Sequence, residues 1–239
     1  MPKLGSSGLQ AGERVTDILF CGMPEEKEVL AGVFPTALIL SGTDKLNLPA
    51  LVPPECTRIV VSGLMGGLAP GIPVGGVCAA RTIVDKAGAL YTCDALWNDR
   101  VMAAGRAAGL TFGIVPWYSS GLLDEADSAG QRAAIFQKYH ASAIDDEVRY
   151  AVALAALRPG LMVNDFRSCS DDWTETLPLA ATGAIMNANG SANIPYLLRS
   201  IAAEPAYETV DLFKIGMDFQ RSLSTLEYAC EAAKEAVLS

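Results

Sequence analysis

Histidine and cationic side chains are what this chain has least of. His140 is the one histidine, and 18 Lys and Arg stand against 27 Asp and Glu, for a formal charge of −9. A nucleic-acid surface needs clustered Lys and Arg to neutralise phosphates, and the sequence has no such cluster. An anionic lipid surface is disfavoured for the same reason. The six cysteines are Cys21, Cys56, Cys78, Cys93, Cys169 and Cys230, and none forms a Cys-x-x-Cys pair. With a single histidine at no ligand spacing, no metal site is expected. Several cysteines sit inside apolar runs, where the thiol behaves as a small buried hydrophobe. They read as reduced thiols of a cytoplasmic protein rather than a disulfide frame. No apolar run reaches the roughly 18 residues of a membrane span. Residues 1–13 are Gly- and Ser-rich, lack the apolar core of a signal peptide and read as a flexible tail.

What is present is apolar and alternating. The chain has 239 residues, 51% of them hydrophobic, enough for one well-buried domain over residues 14–239. Residues 15–21, 36–40, 58–62, 77–84, 113–117, 141–144 and 161–167 read as strands. Residues 25–31, 95–108, 131–139 and 147–157 read as helices, with Gly109 and Arg158-Pro-Gly160 as stop signals. Residues 180–239 read as mostly helical, broken near 187–190 and at Pro205. Strands alternating with helices predict an α/β fold whose sheet is covered on both faces.

One segment stands out, Val61-Ser-Gly-Leu-Met-Gly-Gly-Leu-Ala-Pro-Gly-Ile-Pro-Val-Gly-Gly-Val77. It reads as a strand, a glycine turn at 63–67 and a second strand. Glycine permits either a turn or close approach of the backbone to a ligand. It is not a phosphate loop, because no Gly-Lys-Ser/Thr follows, and not a dinucleotide fingerprint, because a strand follows instead of a helix.

Three acidic segments accompany it: Gly22-Met-Pro-Glu-Glu26, Asp145-Asp-Glu147 and Arg167-Ser-Cys-Ser-Asp171. Each has a bland reading. Glu25 and Glu26 suit a helix N-terminus behind Pro24. Asp145-Asp-Glu147 suits the next helix dipole, and Ser170-Asp-Asp172 suits a helix cap. Their functional reading is a small-molecule pocket at the carboxyl ends of strands. There Asp171 could move a proton and Glu147 could accept two sugar hydroxyls. His140 and Trp117 read as packing residues; Trp97 and Trp173 are better placed for a pocket.

In this order, the four segments resemble the nucleoside phosphorylase and nucleosidase superfamily. Gly66-Gly-Leu-Ala-Pro70 with Val74-Gly75 is the most specific part. The ending from Arg167 through Glu175-Thr-Leu-Pro-Leu-Ala-Ala181 is similar to the hopanoid-associated phosphorylase branch. Methylthioadenosine/adenosylhomocysteine nucleosidase is a more distant likeness. The resemblance implies a three-layer α/β/α fold with a central mixed sheet. It implies cleavage of the N-glycosidic bond of a purine, adenine-type nucleoside by a dimeric enzyme without a cofactor. By carry-over, Asp171 is the general acid for N7 and Ser170 orients it. Glu147 binds the ribose diol, and Asp145 and Arg167 flank the sugar. Gly66 and Gly67 line the site. Glu26, or Glu25 one residue earlier, positions the nucleophilic water. Asp171→Asn is expected to slow turnover without much change in melting temperature.

Three departures qualify the likeness. Leu64 and Met65 replace smaller residues, Asp146 replaces an apolar one, and Gly76 replaces an Asp. The arginines that phosphorolytic members use are not seen near the first or Gly-rich loops, where only Lys27 and Ser62 stand. Arg81 lies inside the next strand. Water is therefore the expected nucleophile. A phosphate-dependent phosphorylase, a nucleoside-binding protein without turnover and a scaffold with an emptied pocket are the alternatives.

Overall fold

The computed structural model describes residues 17–119, 126, 128–175 and 205–238. The 1–13 tail, the 187–190 break and most of the 175–181 motif lie outside them. Among the described residues, eight strands form one mixed sheet: β1 (Asp17–Phe20), β2 (Leu38–Leu40), β3 (Arg58–Gly67), β4 (Val77–Asp85), β5 (Leu90–Thr92), β6 (Phe112–Ser119), β7 (Ala143–Asp145) and β8 (Met162–Asp171). The helices are α1 (Pro24–Val33), α2 (Leu48–Leu51), α3 (Ala95–Ala107), α4 (Ala129–Tyr139), α5 (Val148–Leu157) and α6 (Pro205–Val237), with a 3-10 turn over Gly42–Asn47.

The strands alternate cleanly between two cores. Ile18, Phe20, Ile59, Val61 and Val163 pack on one face with Val148, Ala151 and Leu154 of α5. Leu19, Val60 and Phe166 pack on the other with Leu30 of α1, Trp97 of α3 and Leu226 of α6. A period of two with both faces buried gives a near-continuous apolar strand. The result is the expected α/β/α layering. The sheet also curls on itself. Strand β3 pairs parallel with β8, β8 antiparallel with β4, β4 parallel with β6, β6 parallel with β7, and β7 antiparallel with the end of β3. Strands β1 and β2 extend the sheet from the first half of β3.

Helix α2 and strand β5 were not expected, and two of the boundaries that differ from expectation form the site. The 63–67 segment is not a turn: β3 runs through Gly67, and the chain reverses over residues 69–76. Likewise β8 continues through Asp171, so Ser170-Asp-Asp172 starts no helix. Each strand persists because the two pair from Arg58 to Gly66 of β3, and Gly67 goes on to pair with Ala143 of β7. Their register shifts once, with Met65 opposite Cys169 but Gly66 opposite Asp171. That bulge takes Ser170 out of register, and a bulge re-aims the side chains beside it.

Candidate active site

A cavity of about 180 Å³ opens at the ends of β3, β7 and β8, and among its described lining residues are Glu26, Gly66, Arg132, Glu147, Ser170 and Asp171. Neighbours along a regular strand point to opposite faces. Ser170 and Asp171 both reach the cavity, which fits the bulge between them and β3.

Each of the three principal carboxylates lies against a glycine. A Cβ at Gly63 would stand 2.5 Å from Glu26 Oε1, one at Gly22 2.5 Å from Glu147 Oε1, and one at Gly66 2.9 Å from Asp171 Oδ2. The glycines make room for acids rather than for a turn.

Glu26 is 1% exposed. Its Oε2 accepts from the amides of Gly22 (2.7 Å) and Met23 (2.8 Å), and its Oε1 from that of Leu64 (2.6 Å). Burial raises its pKa, opposed by Arg167 and by these three amides. Oε1 keeps one acceptor direction for a further donor.

Arg167 organises the acids at one end of the site. Its Nη1 donates to Glu147 Oε2 and Leu64 O, both at 3.0 Å. Its Nη2 pairs with Asp145 Oδ2 and its Nε with Asp165 Oδ1, again at 3.0 Å. The guanidinium carbon sits 5.9 Å from the Trp117 ring centroid. Asp145 also accepts from Ser119 Oγ (3.1 Å) and from the Val148 amide (3.2 Å) at the first turn of α5. Glu147 is the N-cap residue of α5 but makes no side-chain cap bond. Burial pushes its pKa up to about 7, with Arg167 opposing and Asp145, Glu26 and Asp146 reinforcing. Asp146 lies 3.6 Å from Arg149 Nε, and burial raises its pKa as well.

At the other end Asp171 Oδ1 lies 2.5 Å from Ser170 Oγ, which is also 3.2 Å from Met65 O. Asp171 Oδ2 is ion-paired with Arg132. Gly66 lines the cavity, whereas Gly67 offers its carbonyl to Arg132 instead.

Sequence reasoning missed Arg132 and Asp165. Arginine on an Ala-rich helix reads as a solvated residue, and only its i, i+3 spacing to the buried Ile135 placed it inward. Asp165 carried a plainer signal, an acid inside an apolar strand. Trp97 is not a pocket residue: it packs on Phe166 in the core, and its Nε1 donates to Val237 O at 3.3 Å. Trp173 is exposed and does not line the cavity. His140 is not a packing residue either; it is exposed and ends α4 in the left-handed region at φ 53°. The six cysteines are free and buried, as expected. No helix among the described residues is long and apolar enough to cross a membrane.

Fold and cavity together define the class: a three-layer phosphorylase/hydrolase-like α/β architecture. Solved structures sharpen it. Futalosine hydrolase of Helicobacter pylori strain 26695 matches at TM-score 0.62 and 13% identity, over 92% of this chain and 98% of that one. A 5'-methylthioadenosine/S-adenosylhomocysteine nucleosidase from the same organism, in complex with butyl-thio-DADMe-Immucillin-A, matches at 0.62 and 13%, over 94% and 99%. The Neisseria meningitidis nucleosidase with methylthio-immucillin-A matches at 0.62 and 15%, over 94% and 98%. These likenesses establish the fold. Neither a protein-family model nor a curated protein matches the sequence.

Proposed function

We propose that this protein hydrolyses the N-glycosidic bond of a purine, adenine-type nucleoside. The observation that carries the reading is the convergence of Glu26, Glu147 and Asp171, far apart in sequence, on one cavity. Breaking the bond puts positive charge on the ribose and negative charge on the base. Asp171 gives a proton to N7 of the departing base, and the carboxylates at the sugar end stabilise the cation. Glu147 accepts the ribose hydroxyls and fixes the ring. Glu26, held by three amides, presents its free Oε1 direction to the attacking water. The nucleosidases of like fold, solved with butyl-thio-DADMe-Immucillin-A and methylthio-immucillin-A, support the same chemistry.

Water rather than phosphate follows from the cations. Among the described residues, Arg132 lines the cavity and Arg167 pairs with its lining residues Glu147 and Asp145, so both guanidiniums are engaged by carboxylates. A phosphate dianion would meet more negative charge than positive. Action as a cytoplasmic homodimer without a cofactor, through one domain over residues 14–239, is part of the same proposal.

The test is a nucleoside panel with and without phosphate, followed for free base. Base release independent of phosphate is expected. A pentose 1-phosphate product would give the phosphorylase alternative, and full recovery of bound nucleoside would give a binding protein.

A further inference from the structure

We infer that Arg132 is the positioning residue of Asp171 and fixes which carboxyl oxygen carries the transferred proton. The inference rests on the nucleoside-cleavage reading above. Arg132 is 1% exposed, a burial that arginine tolerates only when paired. Its Nη1 donates to Gly67 O (3.0 Å) and Asp172 O (3.1 Å), with Asp171 O at 3.5 Å. Its Nη2 pairs with Asp171 Oδ2. The guanidinium is thus clamped by the backbone at the ends of β3 and β8, the two strands that carry the site. Gly66 makes the clamp possible, since a Cβ there would also lie 3.3 Å from Arg132 Nη1.

A guanidinium has donors and no acceptor. Oδ2 therefore cannot direct a proton towards it, and the proton of Asp171 resides on Oδ1. That oxygen faces Ser170 Oγ, whose hydroxyl can also reach Met65 O. With Asp171 ionised, Ser170 donates to Oδ1. With Asp171 protonated, Oδ1–H donates to Ser170 Oγ, and that hydroxyl turns to Met65 O. Both states are satisfied by one hydroxyl rotation. With the nucleoside bound, Oδ1–H turns from Ser170 Oγ to N7 while Ser170 donates to Oδ1; during cleavage the C1′–N9 electron pair leaves with the base, and the Oδ1 proton passes to N7. Water adds its hydroxyl at C1′, and its remaining proton restores Asp171. The carboxylate formed in between meets a guanidinium already in place, so no reorganisation is needed.

The experiment compares Arg132→Met with wild type on two substrates. One is the purine nucleoside that the panel selects. The other is p-nitrophenyl β-D-ribofuranoside, whose leaving group departs without protonation. For the nucleoside, kcat is expected to fall about 10²–10³-fold with little change in KM. For the nitrophenyl riboside, the rate is expected to hold within about threefold. Arg132→Met is also expected to add nothing to Asp171→Asn on the nucleoside. Equal losses on both substrates, or additive losses with Asp171→Asn, would overturn the inference and leave Arg132 a packing residue. If Arg132→Met does not fold, Arg132→Lys carries the test, keeping the charge and losing the fork; its loss must again be confined to the nucleoside. A wild type that cleaves neither substrate removes the nucleosidase reading itself, a result distinct from uniform loss in the variant.

Discussion

The Glu26 carboxylate occupies the space that a side chain on residue 63 would need: a Cβ at Gly63 would lie 2.5 Å from Oε1 and 2.7 Å from Oε2. Those oxygens hold the Gly22, Met23 and Leu64 amides, so the carboxylate has no cheap direction in which to move. Gly63→Ala is expected to cost about 2–4 kcal/mol, through bonds to a charged acceptor and local overpacking. Urea unfolding measures it. In a Glu26→Ala background the same alanine should cost much less, because its obstacle is gone. Additive costs would show that the two residues do not compete for this space.

Asp171 and Arg132 change what is expected of Asp171→Asn. The sequence suggested a slow variant with unchanged melting. The ion pair to a buried arginine says that stability falls too. Turnover should drop about 10²–10⁴-fold, as for loss of a positioned acid. Stability should drop by about 1–3 kcal/mol, less than for a fully buried pair because Asp171 keeps some solvent contact. A variant that melts with wild type would show that the pair contributes nothing to the fold.

Asp165 gives a stability effect of the opposite sign. Arg167 faces Asp165, Asp145, Glu147 and Glu26, one cation against four acids. Burial raises the Asp165 pKa well above 3.8, with Asp145 reinforcing and Arg167 opposing. The folded state therefore keeps a proton on Asp165 that the unfolded chain has already lost. As pH rises from the unfolded value through the folded one, stability is lost. Asp165→Asn lacks that loss, and its Oδ1 can still accept from Arg167 Nε. Its melting temperature should match wild type near the unfolded pKa and exceed it by about 2–4 °C at neutral pH. A deficit at neutral pH would mean that the Asp165 charge is needed to hold Arg167.

These pairs show what was legible and why. The layers and most element positions follow from periodicity; the acids of the site were singled out by short motifs together with the family resemblance, and the structure brings Glu26, Asp145, Glu147 and Asp171 to one cavity. Strand β3 was cut short at Ser62 because Gly63, Gly66 and Gly67 signal a turn as strongly as they signal close approach. Only the partner in space decides, and Glu26 lies 37 positions from Gly63 in sequence. Arg132 was illegible for a related reason: its partners are the ends of two distant strands. The bulge at Ser170 leaves no sequence trace, because Ser and Asp are ordinary in turns and caps.

Glu147 offers the sharpest pH test. Its Oε2 receives Arg167 Nη1 at 3.0 Å, and its side chain is 19% exposed at the cavity. Burial pushes its pKa up to about 7. A carboxylate accepts two hydroxyls, whereas its protonated form must spend one oxygen as a donor. The sugar grip should therefore strengthen as pH rises through about 7 and weaken below it. Wild type should prefer a ribonucleoside over the 2′-deoxy form, since charge-assisted bonds contribute about 1.5–3 kcal/mol each. That preference, read as a ratio of kcat/KM values, should grow between pH 6 and pH 8, the window about the raised pKa. Glu147→Gln should lose most of it and show no growth. A glutamine variant that discriminates as well as wild type, with the same pH trend, would return Glu147 to the role of a helix N-terminal charge.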